Sequence, residues 1–394
     1  MIITALILLT LDILVFFIIR DRLKKRPAPV FYIFVTIHTL LSLAIWMLLV
    51  RNLVFRGDFD TPSNIRNHMN FRGLLIGVAL PWAILVFLHY TGKLVRLRRG
   101  GYSRPLTDTG FVIAAAIFIV ATVSIIHGRF NFSVEEVDVN INGLDPRLEG
   151  LRIVHISDLH LASYDGHKKR LEKVVAIVNS CNPDLIVNTG DFVNYGWREY
   201  NRCDTILVKA LSKYGNFAVL GNHDMGTYYP GVTESIKQEI VSKVSEYIKA
   251  SGYRLIVNET IKLTINGVEV AFIGVSTAGR YPDIIHYDVE AAAKGSGSAA
   301  LKLLLIHDPN QWRRDVCGKT DIELSFAGHT HGLQAGIITR KFRWSPAKYI
   351  YPEWGGLYSE GDQYLYVNRG LGFVGFPFRV WMPPEITVLT LSSE

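Results

Sequence analysis

A chain of 394 residues is longer than one ordinary domain, and a hydrophobic share of 49% excludes an intrinsically disordered protein. The net charge of +7 does not point to nucleic acid, because much of it is bunched in short links between apolar runs, where basic residues orient membrane helices. Three cysteines, Cys181, Cys203 and Cys317, are too few and too irregularly spaced for a disulfide framework.

Four apolar segments come first: Ile2 to Ile19, Val30 to Val50, Phe71 to Tyr90 and Gly110 to Ile126. Each runs roughly 17 to 21 residues, which at a rise of 1.5 Å per residue matches a hydrocarbon core about 30 Å thick. One such run could be a buried core helix. Four in succession, joined by charged links, predict an all-α transmembrane bundle of four helices over residues 1–127. Asp12 inside the first run is costly in lipid and needs a polar partner, which the sequence does not identify. No basic residue precedes that run and no small-residue cleavage pattern follows it, so it is expected to stay in place rather than to be removed as a signal peptide.

The links set the expected orientation. Arg20, Arg22, Lys24, Lys25 and Arg26 crowd the first, and Lys93, Arg96, Arg98, Arg99 and Arg104 crowd the third, while the second is more dilute in charge and carries Asp58 and Asp60. Basic links stay in the cytoplasm, so the second link and everything after Ile126 are expected on the outer side of a bacterial plasma membrane.

Residues 128–150 read as a linker or first strand, because FSVEEVDVNI alternates with period two and NGLDPRLEG is rich in turn formers. From 151 to 394 short apolar runs alternate with helical patterns. LRIVHIS, DLIVNTG, NFAVLGN, VEVAFIGV, LKLLLIHD, ELSFAGH, QYLYVNRG and EITVLTL are predicted strands; KKRLEKVVAIVNSC and TESIKQEIVSKVSEYIKASG are predicted helices, the second ending at Gly252. This alternation predicts an α/β domain with helices covering sheets.

Chemistry gathers where the predicted strands end: Asp158 and His160 in SDLH, Asp191 in NTGD, Asn222, His223 and Asp224 in GNHD, His307 in LLLIHD, and His329 and His331 in GHTH. The crevice beyond the carboxyl ends of strands is the usual ligand site of α/β folds, so these clusters are expected to converge. Taken singly, a strand-end Asp or Asn is a helix cap and His307 a structural histidine. Together, the carboxylates, amide oxygen and imidazoles form a mixed oxygen and nitrogen donor set that suits Mn, Fe, Zn or Co. A carboxylate bridging two cations about 3.5 to 4 Å apart would activate a hydroxide and clamp a phosphoryl group.

The ordered series D-x-H, GD, GNHD, H and GHTH resembles the calcineurin-like metallophosphoesterase superfamily over Leu151 to Glu394. SDLHL, NTGDFVN, VLGNHD, FAGHTHGLQ and the tail NRGLGFVGFPFRVWMPPEITVLTL are similar to its membrane-associated bacterial YkuE-like branch, with a more distant likeness to UDP-diacylglucosamine pyrophosphatases. The resemblance implies a four-layer αββα sandwich and two divalent metal ions, Mn, Fe or Zn before Mg or Ca. It implies a first metal on Asp158, His160, Asp191 and His331, and a second on Asp191, Asn222, His307 and His329, with Asp191 bridging. It also makes His223 a catalytic residue over the phosphate, supported by Asp224.

A hydrolase domain about twenty residues from a membrane bundle favours a phosphate-containing lipid or lipid-linked substrate over soluble phosphates and over nucleic acid. KFRWSPAKYIYPEWGGLY, followed by Phe373, Phe376, Phe378 and Trp381, supplies an aromatic, partly basic candidate surface, with Lys341, Arg343 and Lys348 expected exposed; the same aromatics could instead fill the sandwich core. The alternative from another class is a hydrolase-like membrane receptor or regulatory protein that binds without turnover, a role that has no need of two complete metal sets and His223.

Overall fold

The computed structural model describes residues 2–24, 26–54, 58–99, 104–277, 288–339 and 342–393. Lys25 and Lys341, both named above, lie outside that set. The chain divides into two compact units. One comprises Met1–Gly57, Asn67–His127 and Gly375–Phe378; the other comprises Asp58–Arg66, Gly128–Val374 and Arg379–Glu394.

The first unit is helical. Its elements are α1 (Ile2–Leu23), α2 (Ala28–Val54), most of α3 (Pro62–Leu74), α4 (Leu80–Arg99) and α5 (Arg104–Ile126). Among the described residues, four helical spans, Ile3–Leu23, Ala28–Val54, Pro62–Val95 and Pro105–Phe130, are long and apolar enough to cross a bilayer. Their outward residues are large and apolar, among them Ile3, Leu40, Met47, Phe87, Val112 and Ile119, which in water would be an unpaired hydrophobic surface and in lipid is ordinary. The third span begins well before the apolar run at Phe71, because the polar stretch NIRNHMN is helical without any lipid-like hydropathy to announce it. A π-helical turn at Leu75–Ala79 joins α3 to α4.

Asp12 finds its partners on the neighbouring helix. His38 Nε2 lies 2.9 Å from its Oδ1, Ser42 Oγ donates to its Oδ2 at 2.5 Å and Trp46 Nε1 donates to the same oxygen at 3.3 Å. The three donors lie at positions 38, 42 and 46, one helical turn apart, so a single face of α2 satisfies the carboxylate.

The second unit holds two six-stranded mixed sheets. The first runs β1 (Ser133–Asn140), β14 (Glu385–Ser392), β2 (Arg152–Ile156), β3 (Leu185–Asn188), β4 (Asn216–Ala218), β5 (Tyr253–Leu255). The second runs β12 (Gly356–Glu360), β13 (Gln363–Val367), β9 (Leu324–Ala327), β8 (Leu301–Leu305), β7 (Val268–Gly274), β6 (Glu259–Ile265), and a small hairpin joins β10 (Ile337–Ile338) to β11 (Arg343–Trp344). β2, β3, β4 and β5 are parallel, as are β7, β8, β9 and β13.

Strands buried on both faces read as unbroken apolar runs, and RIVHI shows why. Ile153 points into a core shared by both sheets with Val187, Phe217, Phe272, Leu303 and Phe326. Val154 and Ile156 point the other way, toward α6 (Lys168–Ser180), α7 (Asp204–Leu207) and α8 (Glu234–Ala250), through Leu171, Val174, Leu207 and Val244. The outer face of the second sheet is covered by α9 (Val289–Ala293) and Trp312. Helix, sheet, sheet and helix thus make four layers, and each fully buried aliphatic side chain contributes about 1.5 to 3 kcal/mol.

α8 starts at Thr233, whose hydroxyl accepts from the Ile236 amide, and ends at Ser251; Gly252 follows the cap at φ +85°, where an unbranched backbone is needed. β1 lies parallel to β14 with Val134 opposite Ile386. Where this sheet approaches β13, Arg369 is buried against Glu385, which also accepts from Tyr366 and Thr387, each at 2.6 Å; Arg369 reaches Glu135 at 2.7 Å. The short strands β5 and β12 and the alternating β6 were not among the predicted strands.

The C-terminal aromatics split between the two expected roles. Trp354, Phe373 and Phe378 are buried, whereas Phe342, Tyr349 and Trp381 are exposed, as is the aliphatic Ile350.

Candidate metal centre

The loops leaving β2, β3, β4, β8 and β9 meet at one place. Asp158, His160 and His331 form one group of ligand atoms, all within 4.8 Å of one another, and Asp191, His307 and His329 form another. Every one of these groups except His329 is fully buried, so carboxylates and imidazoles face each other where water does not reach.

Backbone hydrogen bonds fix which ring nitrogen faces inward. His160 donates from Nδ1 to the Val193 carbonyl at 3.1 Å, and His307 donates from Nδ1 to the Thr189 carbonyl at 2.7 Å. Their Nε2 atoms are left with lone pairs turned to the centre. His307 Nε2 lies 3.1 Å from Asp191 Oδ2, and His160 Nε2 lies 3.0 Å from His331 Nε2. His329 is turned the other way, with Nε2 against the Tyr351 hydroxyl at 3.0 Å and Nδ1 at 3.2 Å from His307 Nε2.

Asn222 Oδ1 and Asp158 Oδ1 are buried without a hydrogen-bond donor among the described residues. Asn222 is held in that pose by its own amide, which donates to the Tyr228 hydroxyl at 3.0 Å. Orphaned buried oxygens beside inward imidazole lone pairs are the donor set of a divalent cation, and the residues present fit two of them.

Glycine makes the close approach possible. A Cβ on Gly190, which sits at φ +96°, would fall 2.4 Å from the Gly221 nitrogen, and one on Gly221 would fall 2.1 Å from Asp191 Oδ1. The candidate ligands themselves are strained: Asp158, His160, Asp191, His329 and His331 all have φ between 41° and 71°.

Burial alone would raise the carboxyls of Asp158 and Asp191. Positive charge on the facing rings of His331 beside Asp158 and His307 beside Asp191 outweighs it and holds both well below the ordinary carboxylate range, a role that a cation would take over with those rings neutral.

His223 stands at the edge of this cluster, its ring centroid 5.0 Å from that of His160. Its Nδ1 donates to the Asn194 carbonyl at 2.7 Å and its face stacks on Tyr228 at 4.3 Å. Among the described residues no hydrogen bond joins Asp224 to His223, the imidazole that the resemblance expects it to support. The Asp224 oxygens accept instead from the amides of Asp191, Phe192, Val193 and Gly221, at 2.8 to 3.2 Å. A carboxylate surrounded by amides of the turning chain satisfies those amides and leaves no oxygen toward the imidazole, so Asp224 shapes the loop that presents Asp191.

Several residues of the site were missed from sequence. Asn194 acts through its carbonyl, Tyr228 and Tyr351 through hydroxyls on irregular loops, and Arg379 through a buried guanidinium 3.1 Å from His331 Nδ1, its pKa pushed down to about 10 by burial. Asn194, Tyr351 and Arg379 all stand inside stretches quoted above, but nothing in those stretches marked them as partners of the site.

The calcineurin-like phosphoesterase family model matches residues 151–333. The chain is 30% identical over 256 residues to the uncharacterized metallophosphoesterase YkuE of Bacillus subtilis, spanning 62% of this chain and 80% of that protein. It is 28% identical over 347 residues to the transmembrane protein with metallophosphoesterase domain of Danio rerio, spanning 85% and 75% respectively. To the UDP-2,3-diacylglucosamine pyrophosphatase LpxG of Chlamydia muridarum it is 27% identical over 294 residues, spanning 63% and 85%. Fold, site and relatives agree on the class: the chain belongs to the calcineurin-like phosphoesterase family. It is a metal-dependent phosphoesterase carried on a multi-pass membrane unit.

Proposed function

We propose that this protein hydrolyses a phosphate ester or pyrophosphate bond in a lipid or lipid-linked substrate at the outer face of a bacterial plasma membrane. The observation that carries the reading is the convergence of two ligand groups beside His223 in a chain with four membrane-length helices.

Asp158, His160, Asp191 and His331 would hold one cation, and Asp191, Asn222, His307 and His329 the other. Two such cations supply water activation and neutralise charge on a phosphoryl group. His160 and His307 keep their lone pairs inward because each Nδ1 proton is committed to a carbonyl. His223 is fixed by Asn194 through Nδ1, which leaves Nε2 to bind a phosphoryl oxygen or to hand a proton to a departing one. Tyr228 keeps the ring flat against its own and the Asn222 oxygen turned inward.

A lipid-borne substrate is supported by the exposed Tyr349 and Ile350, which immediately precede Tyr351 and its contact with His329. Relatives named for cleavage of an acylated UDP-sugar pyrophosphate make that bond type a natural member of the panel to be tested. The outward orientation rests on the basic first and third links. It is supported by residues 58–66 of the second link, which belong to the same unit as the sandwich and so share its side of the membrane.

The test is a panel of phosphate-bearing lipids offered in detergent with Mn to the purified full-length protein and to Asp191→Ala. Metal-dependent release of phosphate or headgroup by the wild type alone supports the reading; turnover confined to soluble esters removes the lipid, and protease protection of the sandwich in sealed right-side-out vesicles removes the outer face.

A further inference from the structure

Residues 58–66 lie in the unit that contains the metal centre, and their side chains meet the loop that carries Asn194. Asp60 is completely buried. It accepts from the Arg198 amide and from Arg198 Nη1, each at 3.2 Å, while Asp58 pairs with Nε of the same guanidinium at 3.1 Å. Phe59 sets its ring edge-on to Tyr195, with centroids 4.8 Å apart, and lies 6.4 Å from Tyr229. Gly196 completes the fit, since a Cβ there would fall 2.4 Å from Asp60 Oδ2.

The same loop is also held from within. Glu199 accepts from the amides of Asn194 at 2.8 Å, Tyr195 at 2.6 Å and Gly196 at 3.2 Å. Asn194 starts this loop, and its carbonyl accepts from Nδ1 of His223. Glu199 is local to the loop, five residues from Asn194. Asp60 comes from the link between two membrane runs, more than a hundred residues earlier, and nothing in the motif series calls for it.

We infer that Asp58, Phe59 and Asp60 are positioning residues for His223: the extramembrane link of the helical bundle forms one wall of the catalytic loop and fixes the carbonyl that orients the imidazole. The catalytic consequence rests on the phosphoesterase reading; the structural consequence does not. This stretch of the link between two membrane runs therefore contributes to turnover.

The experiment uses the full-length protein in detergent, with Asp60→Ala, Asp60→Asn and Phe59→Leu, each alone and combined with His223→Asn. Amide exchange is followed across the molecule, and kcat is measured with an alkyl phosphate ester and with a p-nitrophenyl ester. Exchange should rise by about tenfold in Asp60→Ala at residues 194–199 with the remainder of the sandwich unchanged, and less in Asp60→Asn, which keeps one acceptor. The alkyl ester should lose about 10- to 100-fold in kcat, a fraction of what a positioned acid supplies, with KM little moved and no further loss when His223 is already Asn. Unchanged exchange at 194–199, a rise spread over the whole sandwich, or losses that multiply with that of His223→Asn would overturn the inference. Should Asp60→Ala fail to fold, Phe59→Leu carries the same comparison. Should the wild type cleave no phosphate ester, the hydrolase reading falls while exchange alone still decides the positioning role.

Discussion

His160 Nε2 and His331 Nε2 stand 3.0 Å apart, with Asp158 Oδ1 3.2 Å from the second of them. Three electron-rich atoms buried together are stabilised by a cation in their midst. Chelation is accordingly expected to lower the thermal midpoint of the sandwich, and Mn or Zn at a hundredfold excess over Kd to restore about 2.7 kcal/mol. Calorimetry with and without chelator checks this; a midpoint indifferent to both would contradict a metal centre. Asp191→Ala should abolish the response along with hydrolysis.

Loss of His223 should depend on the leaving group. His223→Asn is expected to slow an alkyl ester by about 10²- to 10⁴-fold and a p-nitrophenyl or pyrophosphate substrate far less, because a good leaving group needs no proton. Steady-state rates over a series of leaving groups give the slope, and equal losses across the series would remove the proton-donor role.

Tyr228 acts on the centre from outside it. Tyr228→Phe deletes the acceptor that turns the Asn222 amide, so the affinity for one of the two metals should fall by about 10-fold or more, the range found when a ligand's supporting hydrogen bond is lost. Metal content after dialysis against graded chelator would reveal it.

His155 makes the sandwich acid-sensitive. Burial lowers its pKa to about 3, and the ring donates through Nε2 to Thr189 Oγ1 at 3.0 Å while Nδ1 has no partner. The folded state thus holds the neutral ring while the unfolded chain takes up a proton near pH 6.5. Stability is complete above about pH 6.5 and falls toward pH 3, by about 1.4 kcal/mol for each unit. His155→Phe, packed against Phe326 and Tyr366, should flatten the denaturation profile by one proton over that window. An unaltered slope would place the acid sensitivity elsewhere.

The buried Arg369–Glu385 pair invites a contrast between single and double changes. Arg369→Met leaves a buried carboxylate without its cation and should cost about 3 to 5 kcal/mol, whereas Arg369→Met with Glu385→Gln should recover much of that loss. Denaturant midpoints of the three proteins measure it.

Much of this architecture was legible because the signals were local. RIVHI and LKLLL are apolar at every position since both faces of their strands are buried, and the ligands follow such strands immediately. What escaped had no local signal. Asp12 looked partnerless because its partners are spread over two turns of another helix, and α3 begins in polar residues that carry no lipid signature. The support of His223 by Asp224 came only from the resemblance, and the carboxylate turns to four backbone amides, contacts that no local sequence signal announces. The Asp60 contact with Arg198 joins positions too distant in the chain for any window to relate them.

The left-handed backbone of Asp158, His160, Asp191, His329 and His331 has a bearing on how such a protein can change over generations. Each of these side chains holds its peptide where glycine is at ease and other residues give up about 1 to 3 kcal/mol. Replacement of any of them by glycine would silence the chemistry while relieving that local backbone strain. A lineage released from the need to hydrolyse would shed its centre first and keep its shape, leaving descendants that look like enzymes and are none.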